Sequence, residues 1–428
     1  MFLALQHSSE AAYSNIRAAV KKRYPDSDVP SLHSVKKMIA DLTGIKSIID
    51  HRCINSCGAF VGPWADLDDC PTCGEARYDE KKLERSHGRL KVPRAVFQTI
   101  PIGPQLQALW RERGSAQRMR YRNERTQQIF DEIRRNDGFV DAYDDILTGS
   151  AYLDAVRVGR IKPGDMVLMI SIDGAQLYES KMSDCWIYIW IIVDHSPDRR
   201  YKKKHVLPGG VIPGPNKPKY IQSFLYPGFH HLASIQRAGL HIWDAWSDVV
   251  FISHPFLFLA LADGPGLLCM SSLVGHTGKS GCRMYCGLKG RRKPQASQYY
   301  PVLLKPNNYT VTGCTHDDVD VTNLPQGTSA HYVENLHIIM VSHNRAQYER
   351  NRLETGIVGP SILLGLKLDH ILGIPECFSS EIMHFSGANM ASLDTDLWCG
   401  IADCHPVHQE TDAKMIRVEK ALSEVQFV

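Results

Sequence analysis

Long apolar runs are missing from this chain. None reaches the roughly 18 residues that a membrane-crossing helix needs, and the opening MFLALQHSSEAAY holds too short an apolar stretch for a secretory signal. A soluble intracellular protein with no membrane partner is the expectation. Charge of one sign is also scarce: 49 Lys and Arg against 46 Asp and Glu leave a formal net charge of +3, too mild to announce a polyanion partner. A nucleic-acid argument must therefore rest on where the charges lie. No internal repeat or low-complexity tract is visible in the 428 residues. The histidines are dispersed, so a compact His-rich hydrolase centre is a minor reading that would need folding to gather His230, His231 and His384.

What is present is globular: 43% hydrophobic and 22% charged residues, over a length that suits two or three domains. The 12 cysteines are unevenly placed. In a chain without a secretory signal, clustering at short spacings favours metal over disulfides and points to a reducing compartment. In CINSCGAFVGPWADLDDCPTCG, three residues separate Cys53 from Cys57, two separate Cys70 from Cys73, and twelve lie between the pairs. That spacing lets two knuckles close four thiolates around a structural zinc, with Gly74 supplying the positive φ that the second turn needs. Such a metal gives folding energy to a segment too small to fold alone.

Along the chain, residues 1–50 read as a helical lead-in with Ser31 capping its second helix, and residues 51–79 as the cysteine module. Residues 80–163 read as a basic helical linker dominated by one long polar helix, roughly Gln105 to Asn136, which carries eight arginines from Arg111 to Arg135. Residues 164–293 turn to strands, and residues 294–428 look helical, with a helix expected from His331 to Leu353. The apolar runs Met166 to Ile172 and Cys185 to Val193 read as central strands covered on both faces. Asp173 stands at the edge of the first, followed by Gly174, so a hairpin turn is its plain alternative. A second acid, Asp263, ends the apolar run FLFLALAD, and 263 − 173 puts the two 90 residues apart. Carboxylates at neighbouring strand ends suit Mg²⁺ or Mn²⁺, one of several roles open to them.

Further on, GHTGKSGCRMYCG offers Cys282 and Cys286 as half of a metal site, with His276, Cys377 and His384 as nameable completions. In EIMH, Glu381 and His384 stand at i and i+3, so on a helix they share one face and can bind one metal. Basic residues Arg199, Lys202, Lys203 and Lys204 follow the second strand, and Lys217 and Lys219 sit in a Gly- and Pro-dense loop.

The order of these motifs resembles that of the DDE transposases of CACTA (En/Spm-like) elements and the related Kyakuja/Dileera/Zisupton group common in fungal genomes. The resemblance covers roughly residues 50 to 390 and rests on the succession of the cysteine module, SIDGAQLY, LPGGVIPGPNKPK, LALADGPG, GHTGKSGCRMYCG and GPSILLGL through GIPECFSSEIMH. It implies an α/β protein: an RNase H-like mixed sheet core with an N-terminal zinc-ribbon-like module and a helical insertion or C-terminal region. It implies Asp173 and Asp263 as the first and second catalytic acids, and an insertion beginning at the Gly281 to Cys286 segment that binds zinc. It implies Mg or Mn at the acids and structural Zn at the cysteines. Transposon terminal-repeat DNA would be the partner, contacted by the basic residues just named; a homo-oligomer is compatible, and the nucleus is the location. Two departures stand out. Glu381 replaces the Asp or Cys usual before Met-His, and no glutamate before Val428 lies in a recognisable third-acid pattern. The expectation is a truncated or decayed copy, and the alternative to an active enzyme is a catalytically inactive DNA-binding or interaction protein.

Overall fold

The computed structural model of the chain describes residues 1–5, 8–176, 184–214, 216–292, 297–301, 303–305 and 317–379. Two helices, α1 (Glu10–Arg23) and α2 (Leu32–Thr43), open it, and the Ser31 hydroxyl accepts from the Ser34 amide to cap the second. Strand β1 (Ile48–His51) leads into the cysteines, then α3 (Glu80–Arg85) and β2 (Val96–Thr99). Three helices follow in place of the single long one expected: α4 (Ile102–Trp110), α5 (Arg113–Arg118) and α6 (Tyr121–Arg135). The break has a local cause. The Glu112 carboxylate accepts from the Gly114 and Ser115 amides, starting a new helix one residue after Arg111 ends the previous one.

After α7 (Ser150–Arg157) comes the sheet proper: β3 (Val167–Gln176), β4 (Asp184–Ile192), the short α8 (Pro197–Arg200) and β5 (Leu207–Pro213). The 18-residue α9 (Ile221–Ala238) then precedes the hairpin β6 (Leu240–Asp244) and β7 (Val249–Ser253), and β8 (Phe256–Leu261) runs into α10 (Gly264–Ser271). The expected helix from His331 to Leu353 is two, α11 (Ser329–Met340) and α12 (Arg345–Thr355), because Asn344 caps a fresh start by accepting from the Gln347 amide. From residue 356 to 379 the chain makes 3-10 turns and isolated bridges where helix was expected.

Six strands form one mixed sheet in the order β1-β2-β5-β4-β3-β8, and β6-β7 form a separate ribbon. All pairings in the large sheet are antiparallel except β3 with β8, which is parallel. Beyond β8, Ile371 and Phe378 make parallel bridges to Leu257 and Ala260. Strand alternation sends β3 side chains into two cores. Leu168, Ile170 and Ile172 pack with Phe224, Phe229 and Leu232 of α9 and with Leu106 and Trp110 of α4. Val167 and Met169 pack on the opposite face with Ile129 of α6, Tyr152 of α7 and Phe258. Residues 80–163 thus supply β2 and parts of both cores, and although Arg111, Arg113, Arg118, Arg134 and Arg135 are exposed, Arg122 is not. Arg122 is 2% exposed; its Nε donates to Asp194 at 2.8 Å and one Nη to the Asp165 carbonyl at 2.6 Å.

Candidate functional site

Asp173 lies within β3, paired across to Ile187, with Gly174 opposite Trp186. The Asp-Gly pair is therefore strand, and the hairpin reading of these two residues is corrected. The ladder continues to Gln176, but the apolar layer does not: Met169 is buried, Ser171 half-buried and Asp173 exposed. The acid stands where the helix-covered face gives out.

The parallel pairing of β3 and β8 ends at Ser171 opposite Leu261. Two residues further along each chain come Asp173, still in β3, and Asp263, which has left β8, so both acids stand at the same end of the sheet. Asp263 caps α10, one carboxylate oxygen accepting from the Gly266 amide at 2.6 Å. A β-carbon on Gly266 would lie 3.3 Å from the Ile172 carbonyl, so the start of α10 sits directly against the end of β3. Helix capping alone explains Asp263, and its second oxygen remains for a cation.

Basic and aromatic groups surround this end. The Lys217 Nζ lies 5.2 Å from the ring centre of Trp186, and that ring packs against Gly174, where an added β-carbon would be 3.1 Å away. Arg283 donates to the Ala262 carbonyl at 2.8 Å, beside Asp263. Burial raises the Cys269 thiol, with nearby Lys217 pulling it down and Asp263 pushing it up. The sequence had singled out neither Trp186 nor Arg283, although Arg283 follows Cys282 directly.

The other basic residues are elsewhere. Arg199, Lys202, Lys203 and Lys204 join β4 to β5 at the opposite end of the ladder, where the Val193 amide donates to the Val167 carbonyl. Six residues of strand separate that level from Asp173, about 20 Å. Buried there is His195, 1% exposed, with its ring 5.0 Å from that of His205. Among the described residues, neither ring nitrogen of His195 has a hydrogen-bond partner. Burial, then the charges of His205, Arg118, Arg199 and Arg200, push its pKa down to about 4.

The cysteine quartet is gathered as its spacing required. One sulfur from each of Cys53, Cys57, Cys70 and Cys73 lies within 4.8 Å of the others, and the Cys53 and Cys73 sulfurs are 3.5 Å apart. Four thiolates at Zn–S distances near 2.3 Å would stand about 3.8 Å apart, so the set can hold a metal ion such as zinc. Two turns build it. The Ser56 amide donates to the Cys53 carbonyl with Ser56 at φ +56°, and the Gly74 amide to the Cys70 carbonyl with Gly74 at φ +73°. Cys53, Cys57 and Cys70 are buried, with only Phe60 completing their small cluster. A backbone donor from Glu75 brings the exposed Cys73 thiol down to about 7, and burial pushes Cys57 up to about 12.

Cys282 and Cys286 form the same kind of turn without the same outcome. The Tyr285 amide donates to the Cys282 carbonyl, and Tyr285 has φ +52°. The Cys282 thiol, held by Cys286 and by backbone donors, is lowered to about 6. Among the described residues, however, the Cys53 quartet is the one metal-compatible group of three or more. His276 and Cys377 do not complete the second pair, and Cys377 is buried beside β8, its carbonyl accepting from Ala260. His230 and His231 gather no metal group either. Glu381 and His384 lie outside the described residues. No protein-family model matches this sequence, and no curated protein does.

Proposed function

We propose that the chain descends from a DDE-type transposase and that its core performs metal-dependent cleavage and strand transfer on DNA in the nucleus, with Asp173 and Asp263 as metal-holding acids. The observation that carries this reading is that β8, whose last paired residue Leu261 stands opposite Ser171 of the parallel β3, runs into Asp263 at the end of the sheet where β3 carries Asp173. The strand order supports an RNase H-like core: three antiparallel strands β5-β4-β3, the parallel β8, and a further parallel segment through Ile371 and Phe378. Two carboxylates with water in the remaining positions fit Mg²⁺ or Mn²⁺, which would supply charge stabilisation at a phosphoryl oxygen. Asp173 and Asp263 would hold the ion, while Lys217 pairs with a neighbouring phosphate. The quartet holds zinc in a ribbon-like structural module.

The test is nicking of terminal-repeat duplex by purified protein in Mg²⁺ or Mn²⁺. Asp173→Asn should abolish it while moving stability by no more than about 0.5 kcal/mol, because the side chain is exposed. Absence of cleavage at any candidate end would remove catalysis from the reading. One observation favours a second reading, a catalytically inactive DNA-binding remnant: among the described residues no third ligand joins the two acids. Salt-sensitive DNA binding without cleavage would then be the result.

A further inference from the structure

The cysteine module and the acid end of the sheet are physically joined. The Tyr220 amide donates to the Cys57 carbonyl at 2.9 Å and the Lys219 amide to the Ser56 carbonyl at 3.4 Å. Arg52 donates to Ser56 Oγ with one nitrogen and to the Gly214 carbonyl with another, at 2.9 Å. From the other side, Ser223 Oγ accepts from the Ala59 amide at 2.9 Å and donates to the Tyr220 carbonyl. The Trp64 and Tyr220 rings meet edge to face at 5.4 Å. Gly58 lets the surfaces approach so closely, since a β-carbon there would lie 2.2 Å from the Trp64 ring and 3.1 Å from Ser223 Oγ.

These contacts fall on both flanks of Lys217. Gly214 precedes it and Lys219 and Tyr220 follow it, and they are gripped by the turn that contributes Cys53 and Cys57. Lys217 is exposed, with its ammonium over Trp186 beside Gly174. A long exposed lysine keeps considerable rotamer freedom, so a fixed backbone at its base determines the volume that its charge samples.

We propose that the Cys53–Cys57 turn is a positioning device for Lys217, so that metal occupancy of the quartet governs how firmly this lysine is presented over Trp186 at the end of the sheet that carries Asp173 and Asp263. The proposal rests on the reading that the quartet holds zinc. Ala59 and Val61 stay anchored in the main core, but without the ion the thiols and Phe60 bury too little apolar surface to keep the Cys53–Cys57 turn closed, and the carbonyls of Ser56 and Cys57 no longer hold Lys219 and Tyr220. The large sheet has its own two cores and stays folded.

Hydrogen exchange on the full zinc-loaded chain, before and after stripping with a chelator, tests this without any ligand. The Tyr220 and Lys219 amides should exchange about tenfold faster or more once zinc is removed, while Met169 and Ile191 in β3 and β4 keep their rates. Unchanged exchange at Tyr220 would overturn the proposal, and so would a uniform rise that included β3 and β4, which would make the metal a global folding element. Ser223→Ala leaves all four thiols in place and should speed Tyr220 exchange several-fold at full zinc content; no change there also counts against the tether. With a labelled duplex oligonucleotide, zinc removal and Lys217→Ala should each weaken binding a few-fold, and together no more than either alone. Additive losses would break the link to Lys217. Failure to bind duplex at all would weigh against the proposed function only, because the exchange readout needs no DNA.

Discussion

The two ends of the central sheet carry similar charged residues to different ends. At the Asp173 end, the acid is exposed, Asp263 commits one oxygen to a helix start, and the exposed Lys217 rests over the buried Trp186 ring. At the His195 end, beneath the exposed lysines of the β4–β5 connection, lie two buried ion pairs. Arg122 meets Asp194, whose other oxygen accepts from the Val167 amide, and Arg200 grips Asp145 with two nitrogens at 2.6 and 3.0 Å. Burial makes an ion pair part of the scaffold, because neither partner can be lost without stranding the other. Exposure leaves carboxylates available for a cation.

The sharpest way to break that contrast is Arg122→Ala. It strands Asp194 at the start of β3 and should cost about 3–5 kcal/mol in urea unfolding, an outcome with no counterpart at the exposed Asp173. A loss near zero would mean that the buried pair is not structural.

Acid should find the same end next. His195 is neutral in the fold because its pKa is depressed to about 4, whereas the unfolded chain protonates near 6.5. Above pH 6.5 neither state takes up the proton and nothing is lost. Between pH 6.5 and 4 the unfolded state alone gains it, so stability should fall by on the order of 3 kcal/mol. After burial, the charges of His205, Arg118, Arg199 and Arg200 add to the depression. Urea midpoints at pH 7 and pH 4.5 measure the fall, and His195→Gln should flatten it.

The smallest effect separates the lysines. Lys217→Ala should slow cleavage of bound duplex, while triple alanine at Lys202, Lys203 and Lys204 should lower affinity only, with the salt slope falling about 0.9 for each phosphate left unneutralised. Single-turnover rates at saturating protein distinguish them, and equal rates would erase the difference between the ends.

Part of the fold around the candidate site was legible because its signals are local. Continuous apolar runs marked β3, β4 and β8, with Asp173 and Asp263 where those runs give out. The long arginine-bearing helix was misread because charge pattern cannot reveal that Arg122 has a distant buried partner, nor that Glu112 captures two amides and restarts the helix. The two cysteine turns make the point most plainly. Cys53 to Cys57 and Cys282 to Cys286 share spacing, a 3.0 Å turn hydrogen bond and a left-handed fourth residue, yet among the described residues only the first meets a second pair.

By itself, then, the sequence determined the core strands β3, β4 and β8, the Ser31 cap and the shape of the cysteine turns, since apolar runs and hydrogen bonds spanning a few residues need no remote partner. Tertiary structure alone decided that Asp173 and Asp263 stand at one end of the sheet, that Lys217 stands at that end with Lys202 to Lys204 at the other, and that the Cys53 turn grips the lysine loop. Those outcomes depend on contacts between residues up to some 160 positions apart, such as Arg52 with Gly214, |i−j| = 162. Such contacts form only when the whole chain closes around its cores, and no local pattern encodes which distant segments will meet.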